Sequence, residues 1–217
     1  MPTHTLAAPL QVLPTTLQGW GIRLEPLTQQ HRAGIEAAAA DGQLWELGVT
    51  WVPKADQTQA YITQALEQQN AGSRCPFAVV DTHDGRVLGC TSYHDIVAQI
   101  HRLEIGYTWY AASAQRTHVN TAAKLLLLGH AFDTLGCAVV GWRTDILNTR
   151  SQAAIERLGA QKDGVLRHYA LRPDGQVRAM VLYSMLANEW PAAQQRLLQR
   201  LQLHSDPTRS HAPLATP

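Results

Sequence analysis

The chain has 217 residues, 45% hydrophobic and 16% charged, with a formal net charge of +1. That is enough chain for one substantial core with tails. A near-neutral balance without a basic stripe gives no electrostatic case for nucleic acid as a partner.

The three cysteines, Cys75, Cys90 and Cys137, form no CxxC pair and no disulfide framework. That favours a reducing, cytoplasmic setting. The ten histidines show no ligand spacing such as HExxH, so no metal site is expected. The longest run of large aliphatics is residues 125–128. A membrane helix needs roughly 20 apolar residues, so no membrane association is expected. No secretory leader pattern opens the chain.

Residues 1–19 are rich in Pro and Thr and read as an arm ahead of a single domain over residues 20–203. A short strand over residues 21–27 is stopped by Pro26. Thr28 can cap a helix running to about Ala40, and Asp41-Gly42 marks a turn. Trp45 and Trp51 serve either the core or the wall of a pocket. A helix over residues 55–69 ends at Asn70-Ala71-Gly72. Three strands follow as an antiparallel meander, over residues 76–80, 86–93 and 101–109, the first two joined by a two-residue Asp84-Gly85 turn.

The pattern then changes. Residues 121–135 carry Ala122, Leu125, Leu126, Gly129 and Phe132 at helical spacing, with Gly136 as the stop. Residues 139–144 read as a strand, parallel to the strand at His101 if the helix is an ordinary crossover. Asn148 or Thr149 caps a helix that ends at Gly159. A last hairpin spans residues 165–171 and 176–186 around Arg172-Pro173-Asp174-Gly175. An amphipathic helix from Trp190 uses Leu197, Leu198 and Leu201, and residues 204–217 read as a disordered tail. Together these elements predict an α/β fold. Its central sheet of about seven strands is mixed and mostly antiparallel, with helices on both faces.

The stretch that carries chemistry runs over residues 105–159. A polar loop, Gln115-Arg116-Thr117-His118-Val119-Asn120-Thr121, feeds straight into a helix start. Such a start leaves backbone N–H groups without intrahelical partners, and with the helix dipole they can hold a phosphate. No Walker motif and no strand-linked GxGxxG appears, so the seat suits some other phosphate-bearing cofactor.

Four features in order resemble the GNAT superfamily of N-acetyltransferases: the EIGY strand, the Gln115 loop, the Thr144-Asp145-x-x-Asn148-x-x-Ser151 run and the Leu158-Gly159-Ala160 end. The branch that modifies ribosomal-protein N-termini is most similar, and the Pro-Asp-Gly turn before the last strand agrees. The resemblance covers about residues 20–188. It implies transfer of an acetyl group from acetyl-CoA to a primary amine, on a protein N-terminus or a small molecule. It also implies a gap where parallel strands ending near Trp109 and Thr144 splay apart around the pantetheine arm. Backbone N–H groups from Arg116 onward would hold the pyrophosphate, with Asn148 on the pantetheine or a water. The resemblance leaves room for a homodimer, and for a CoA-binding module without catalysis on the same fold.

The family loop has glycine where this chain has His118, and Gly or Ala where it has Asn120. Glycine permits positive φ, whereas His and Asn reach that region at a cost of about 1–2 kcal/mol. The His118 ring is expected either to swing aside or to bond the cofactor. The amine attack needs a proton acceptor, an oxyanion donor and an acid for the thiolate. Glu104 is the first choice for base, directly or through water; otherwise it is a salt-bridged strand residue. The resemblance points to a backbone N–H near residues 107–109 for the oxyanion, and to Ser151 as acid, with Tyr107 as its rival. His94 is a second proton acceptor, and Arg116 touches phosphate or solvent. Trp51, His94 and Trp109 are expected at the acceptor, in a partly apolar pocket without strong charge.

Overall fold

The computed structural model describes residues 9–172 and 175–205. The strands are β1 (Leu17–Gly19), β2 (Ile22–Pro26), β3 (Arg74–Asp81), β4 (Val87–Val97), β5 (Arg102–Tyr110), β6 (Val139–Asp145), β7 (Gln161–Leu171) and β8 (Val177–Leu186). The helices are α1 (Arg32–Ala40), α2 (Thr58–Asn70), α3 (Val119–Gly129), α4 (Thr149–Glu156) and α5 (Trp190–Ser205). One eight-stranded sheet has the order β1-β2-β3-β4-β5-β6-β8-β7. All of its pairs are antiparallel except β5 with β6. The mixed α/β architecture is therefore as the sequence predicts.

Side chains alternate across a pleated sheet, and that alternation separates the two layers. Phe77 and Tyr93 point to one face, their ring centroids 5.7 Å apart. There the Tyr93 hydroxyl donates to the Leu127 carbonyl of α3 at 2.6 Å. Arg74, Ser92 and Trp109 point to the other face. There Trp109 Nε1 donates to the Tyr61 hydroxyl of α2 at 3.2 Å. Helices α3 and α2 thus cover opposite faces, and β3 between them is buried along nearly its whole length. That is why residues 75–80 read as a continuous apolar run rather than an alternating one.

The structure departs from the sequence reading in several places. The sheet has an eighth strand, β1, which lies inside the stretch read as an arm and pairs with β2. That stretch is also docked further up: Leu10 is buried, and its N–H donates to Ala98 O at 3.2 Å. The β3–β4 turn is longer than two residues. Asp81 N–H bonds Arg86 O, and the Asp81 and Asp84 carboxylates hold the His83 and Arg86 N–H groups. These side-chain acceptors stabilise a four-residue loop. Helix α3 starts two residues early and finishes in a π turn, His130–Thr134, before Gly136 at φ +69. Strand β7 begins at Gln161 because residues 161–164 find partners on β8. Pro173, Asp174 and most of the expected tail lie outside the described residues.

Candidate active site

Strands β5 and β6 are in register over three pairs: Arg102 with Val139, Leu103 with Val140 and Glu104 with Gly141. Beyond Gly141, β6 stays with β8 as far as the Asp145–Met180 pair. Beyond Glu104, β5 stays with β4 as far as Tyr110–Gly89. Each strand satisfies its outer edge, while the inner edges part and leave a notch of unpaired backbone groups. A bulge adds to the distortion. Cys90 faces Trp109 and Ser92 faces Gly106, so Tyr107 and Thr108 together oppose Thr91. Tyr107 takes φ +52. The extra residue re-aims the strand: Gly106 and Tyr107 both turn to the α2 face, and Thr108 turns to the α3 face. There the Thr108 hydroxyl lies 2.8 Å from that of Thr91 and accepts from Lys124 Nζ at 3.1 Å.

The loop before α3 is pinned by its own side chains. Gln115 Nε2 donates to Tyr110 O at 2.7 Å, and Arg150 donates to Gln115 Oε1 at 2.8 Å, tying the starts of α3 and α4 together. The Thr117 hydroxyl donates to Ala114 O and accepts from Val119 N–H. The N–H groups of Arg116, Thr117 and His118 find no acceptor among the described residues. The positive-φ step falls at Arg116, φ +62. His118 has ordinary helical angles and Asn120 lies inside α3, so the strain expected at those two positions is absent. The His118 ring swings aside toward the β1–β2 turn, with Nε2 3.5 Å from where a Cβ on Gly21 would lie.

The other helix start is built by the Asp145–Ser151 run. Asp145 is buried, accepts two bonds from Arg172 at 2.7 and 2.9 Å, and accepts the Leu147 N–H at 2.8 Å. The Arg172 guanidinium holds its carboxyl below the usual aspartate range. Asn148 Oδ1 accepts the Ser151 N–H at 3.0 Å, the N-cap bond that its position predicts. That side chain is thereby committed to the helix start.

A row of residues crosses the α2 face at the apex of the notch: Arg74 on β3, His94 on β4, Glu104 on β5 and Gly141 on β6 are successive register partners. Glu104 is 3% exposed, with one oxygen bonded by Arg102 and the other by Arg143 Nε at 2.6 Å. Burial pushes its carboxyl up against the pull of those two guanidiniums. His94 Nε2 is 3.9 Å from Glu104 Oε2. Burial, helped by Arg143, draws the imidazole down to about 4, so it is neutral at neutral pH. His94 lies over Gly106, where a Cβ would approach Nε2 to 2.3 Å. Only glycine fits that position.

Notch, loop and helix starts open into one cleft of about 1450 Å³. Of the predicted residues, Trp51, His94, Tyr107, Trp109, Gln115, Arg116, Thr117, Asn120, Thr121, Asn148 and Ser151 line it. Glu104, His118 and Val119 do not: Glu104 is sealed by its arginines, and His118 faces β1–β2. Trp51 is half exposed, its ring 5.2 Å from that of Tyr61. Trp45 packs against the core instead. The expectation of a pocket without strong charge is corrected. Arg74, Arg116, Lys124, Arg143, Arg150 and Arg157 are among its lining, and its carboxylates, Asp95 and Asp145, are already paired with arginine.

Sequence reasoning missed two cations. Lys124 shares a helix face with Thr121 and Leu128, both buried, and that i, i+3, i+7 spacing was the available signal. Burial draws its amine down to about 7. Arg74 precedes the point where the strand was expected to start, so its place on a sheet face was not read.

A family described as the acetyltransferase (GNAT) domain matches residues 22–161. The chain belongs to the GNAT acetyltransferase family. Enzymes of this family use acetyl-CoA. A Bacillus subtilis (strain 168) protein named as a candidate ribosomal N-acetyltransferase, YdaF, is 33% identical over 114 residues. That match spans 50% of this chain and 58% of the relative. A GNAT sheet with the same course is seen in a candidate acetyltransferase from T. thermophilus, at 32% identity and TM-score 0.77, covering 88% of this chain and 100% of the other. A GCN5-related N-acetyltransferase from Brucella melitensis gives 26% identity and TM-score 0.80, over 90% and 89% of the two chains.

Proposed function

We propose that this chain transfers the acetyl group of acetyl-CoA to a primary amine, with an α-amino group as the preferred acceptor. The parting of β5 and β6 after the Glu104–Gly141 pair carries the reading. Its open inner edges suit the amides of a pantetheine arm, which pairs there as an added strand would. The N–H groups of Arg116, Thr117 and His118, with the first turn of α3, suit a pyrophosphate, and Arg116 and Arg150 add charge. Placing the arm in the notch brings the thioester to the α2 face near His94 and Tyr107.

There the amine nitrogen attacks the thioester carbonyl carbon. The C–N bond forms, the C–S bond breaks, and the thiolate takes a proton from Ser151, which recovers one from water. Glu104 has both oxygens occupied by guanidiniums, so it accepts no proton directly. It steadies His94 and Arg143, and the ammonium proton leaves through water beside the neutral imidazole. A weak acceptor suffices for an α-amino group, whose pKa is about 7.7–8.0, and not for a lysine near 10.4. The name of the Bacillus subtilis relative favours a protein N-terminus as the source of that group.

Thiol release from acetyl-CoA, measured over a panel of amines and short peptides, tests this. Turnover with an α-amine is expected, and Ser151→Ala should lower it more than it weakens CoA binding measured by calorimetry. CoA bound tightly with no turnover over the panel supports a non-catalytic module instead. Failure to bind CoA sinks both. The module reading drew on His118, and that ring is turned away from the cleft, so His118→Gly should leave CoA affinity intact.

A further inference from the structure

Two cations are buried among the described residues, Arg74 at 4% exposure and Lys124 at 6%. Neither forms an ion pair with any described carboxylate. A buried charge without a counter-ion is costly, so each marks a place where an anion or strong acceptor is due. They sit on opposite sides of the sheet. Lys124 is on the α3 face, where the loop amides offer a phosphate seat. Arg74 is on the α2 face, away from that seat, so the phosphates of a donor there do not reach it.

The Arg74 guanidinium is held in place but incompletely satisfied. Nε donates to Ser92 Oγ at 2.9 Å and Nη1 to Gln68 Oε1 at 3.2 Å, while Nη2 is buried and finds no acceptor. Its flat face lies 3.7 Å from the centroid of the Tyr107 ring. Stacking on an aromatic face leaves the edge of a guanidinium available for in-plane bonds to a carboxylate. Arg74, His94 and Glu104 are register partners on three adjacent strands. Neighbouring strands are about 4.8 Å apart, so Arg74 stands roughly one to two strand spacings from the point where the amine would react.

We propose that the acceptor carries a carboxylate a few bonds from its amine, and that Arg74 binds this carboxylate. The proposal rests on the acetyltransferase reading above. Its ligand is an acidic amine, such as the N-terminal aspartate or glutamate of a polypeptide, or the free amino acid. Tyr107, half exposed on the bulge, is the side chain that gives way as the carboxylate reaches the guanidinium edge. Gln68 and Ser92 keep the guanidinium from turning with it.

The test compares acid with amide. Thiol release is measured with C-terminally amidated peptides that begin with Asp, Asn, Glu or Gln, and with free aspartate and glutamate. The parent should favour the acid over its amide by about tenfold or more in kcat/KM, the scale of one charge-assisted hydrogen bond. Arg74→Met should bring that ratio near one, and Arg74→Lys should retain part of it. Preference for the peptides identifies a polypeptide N-terminus as the source; equal use of the free amino acids identifies a small molecule. A parent that treats Asp and Asn peptides alike, or favours the amide, overturns the proposal. If no amine turns over, the acetyltransferase reading has failed separately. The subsite is then judged by tryptophan fluorescence, comparing N-acetylaspartate with N-acetylasparagine in the presence of CoA. Equal binding of the two overturns it there as well. Because the acid-to-amide ratio is read first in the parent, a misfolded Arg74→Met variant does not shield the idea.

Discussion

Gly106 has no side chain because the His94 imidazole occupies the space where one would stand. A Cβ there would approach Nε2 to 2.3 Å, well inside contact distance, so Gly106→Ala must push the ring off the notch apex. Overpacking of this kind costs about 1–3 kcal/mol. The variant should melt a few degrees lower and lose a larger share of kcat/KM than of CoA affinity; equal losses would show that His94 has no part near the thioester. Lys124 gives a second expectation at this scale. Burial draws its folded value down to about 7, against about 10.4 in an unfolded chain. Between those values the unfolded chain holds a proton that the folded chain has released. Stability contributed by this site therefore climbs with pH across that window, by at most about 1.4 kcal/mol per unit. Below the window both states are protonated, and the folded protein bears the whole cost of the buried charge. Lys124→Met should flatten the climb in melts taken from pH 6.5 to 9.5 and raise Tm below pH 7; parallel curves for variant and parent would refute this. Asn148 as a cap was legible because capping is a matter of three neighbouring residues. Arg74 was not, since its partners Gln68, Ser92 and Tyr107 come from three other elements.

Among elements, the β6–α4 connection shows how a motif can be recognisable yet misassigned. Its Asp and Asn face inward on the turn: Asp145 holds Arg172 and the Leu147 N–H, and Asn148 holds the Ser151 N–H. The run builds the helix start that presents Ser151 to the cleft. Breaking the buried pair with Asp145→Ala should cost about 3–5 kcal/mol, read as a shift in urea midpoint, and should weaken CoA binding because the start of α4 loosens. Unchanged stability would place the weight of the turn elsewhere. Arg172 holds the Asp145 carboxyl low, so the stabilisation is present at neutral pH and is lost only as pH falls through that lowered value. The α3 loop carries a related lesson. A family template put the left-handed step at the residue that is usually glycine, whereas this chain takes it at Arg116. The φ of one loop residue depends on how its neighbours are tied, here by Gln115 and Thr117, and residue type alone does not reveal those ties.

Across the whole molecule the sheet divides labour between its faces. On the α3 side lie the amides, Thr108 and Lys124; on the α2 side lie Arg74, His94, Glu104 and Tyr107. The parting of β5 and β6 joins the two. The order of strands and the change from meander to crossover were visible in the alternation of apolar residues, because burial of both faces imposes it. The short edge strand β1 was not, since three residues carry too little pattern to separate a strand from an arm. The three registered pairs between β5 and β6 have a mechanical meaning as well. They are a narrow seam between a five-stranded plate and a three-stranded one, braced on one side where α3 meets α5 through the stacked rings of Phe132 and Trp190. A coenzyme arm lying across the opening would act as a rivet between the plates. Amide hydrogen exchange at residues 139–141 should then slow on adding CoA far more than exchange in the β3–β4 ladder. Equal protection in both places would mean that the plates were already locked.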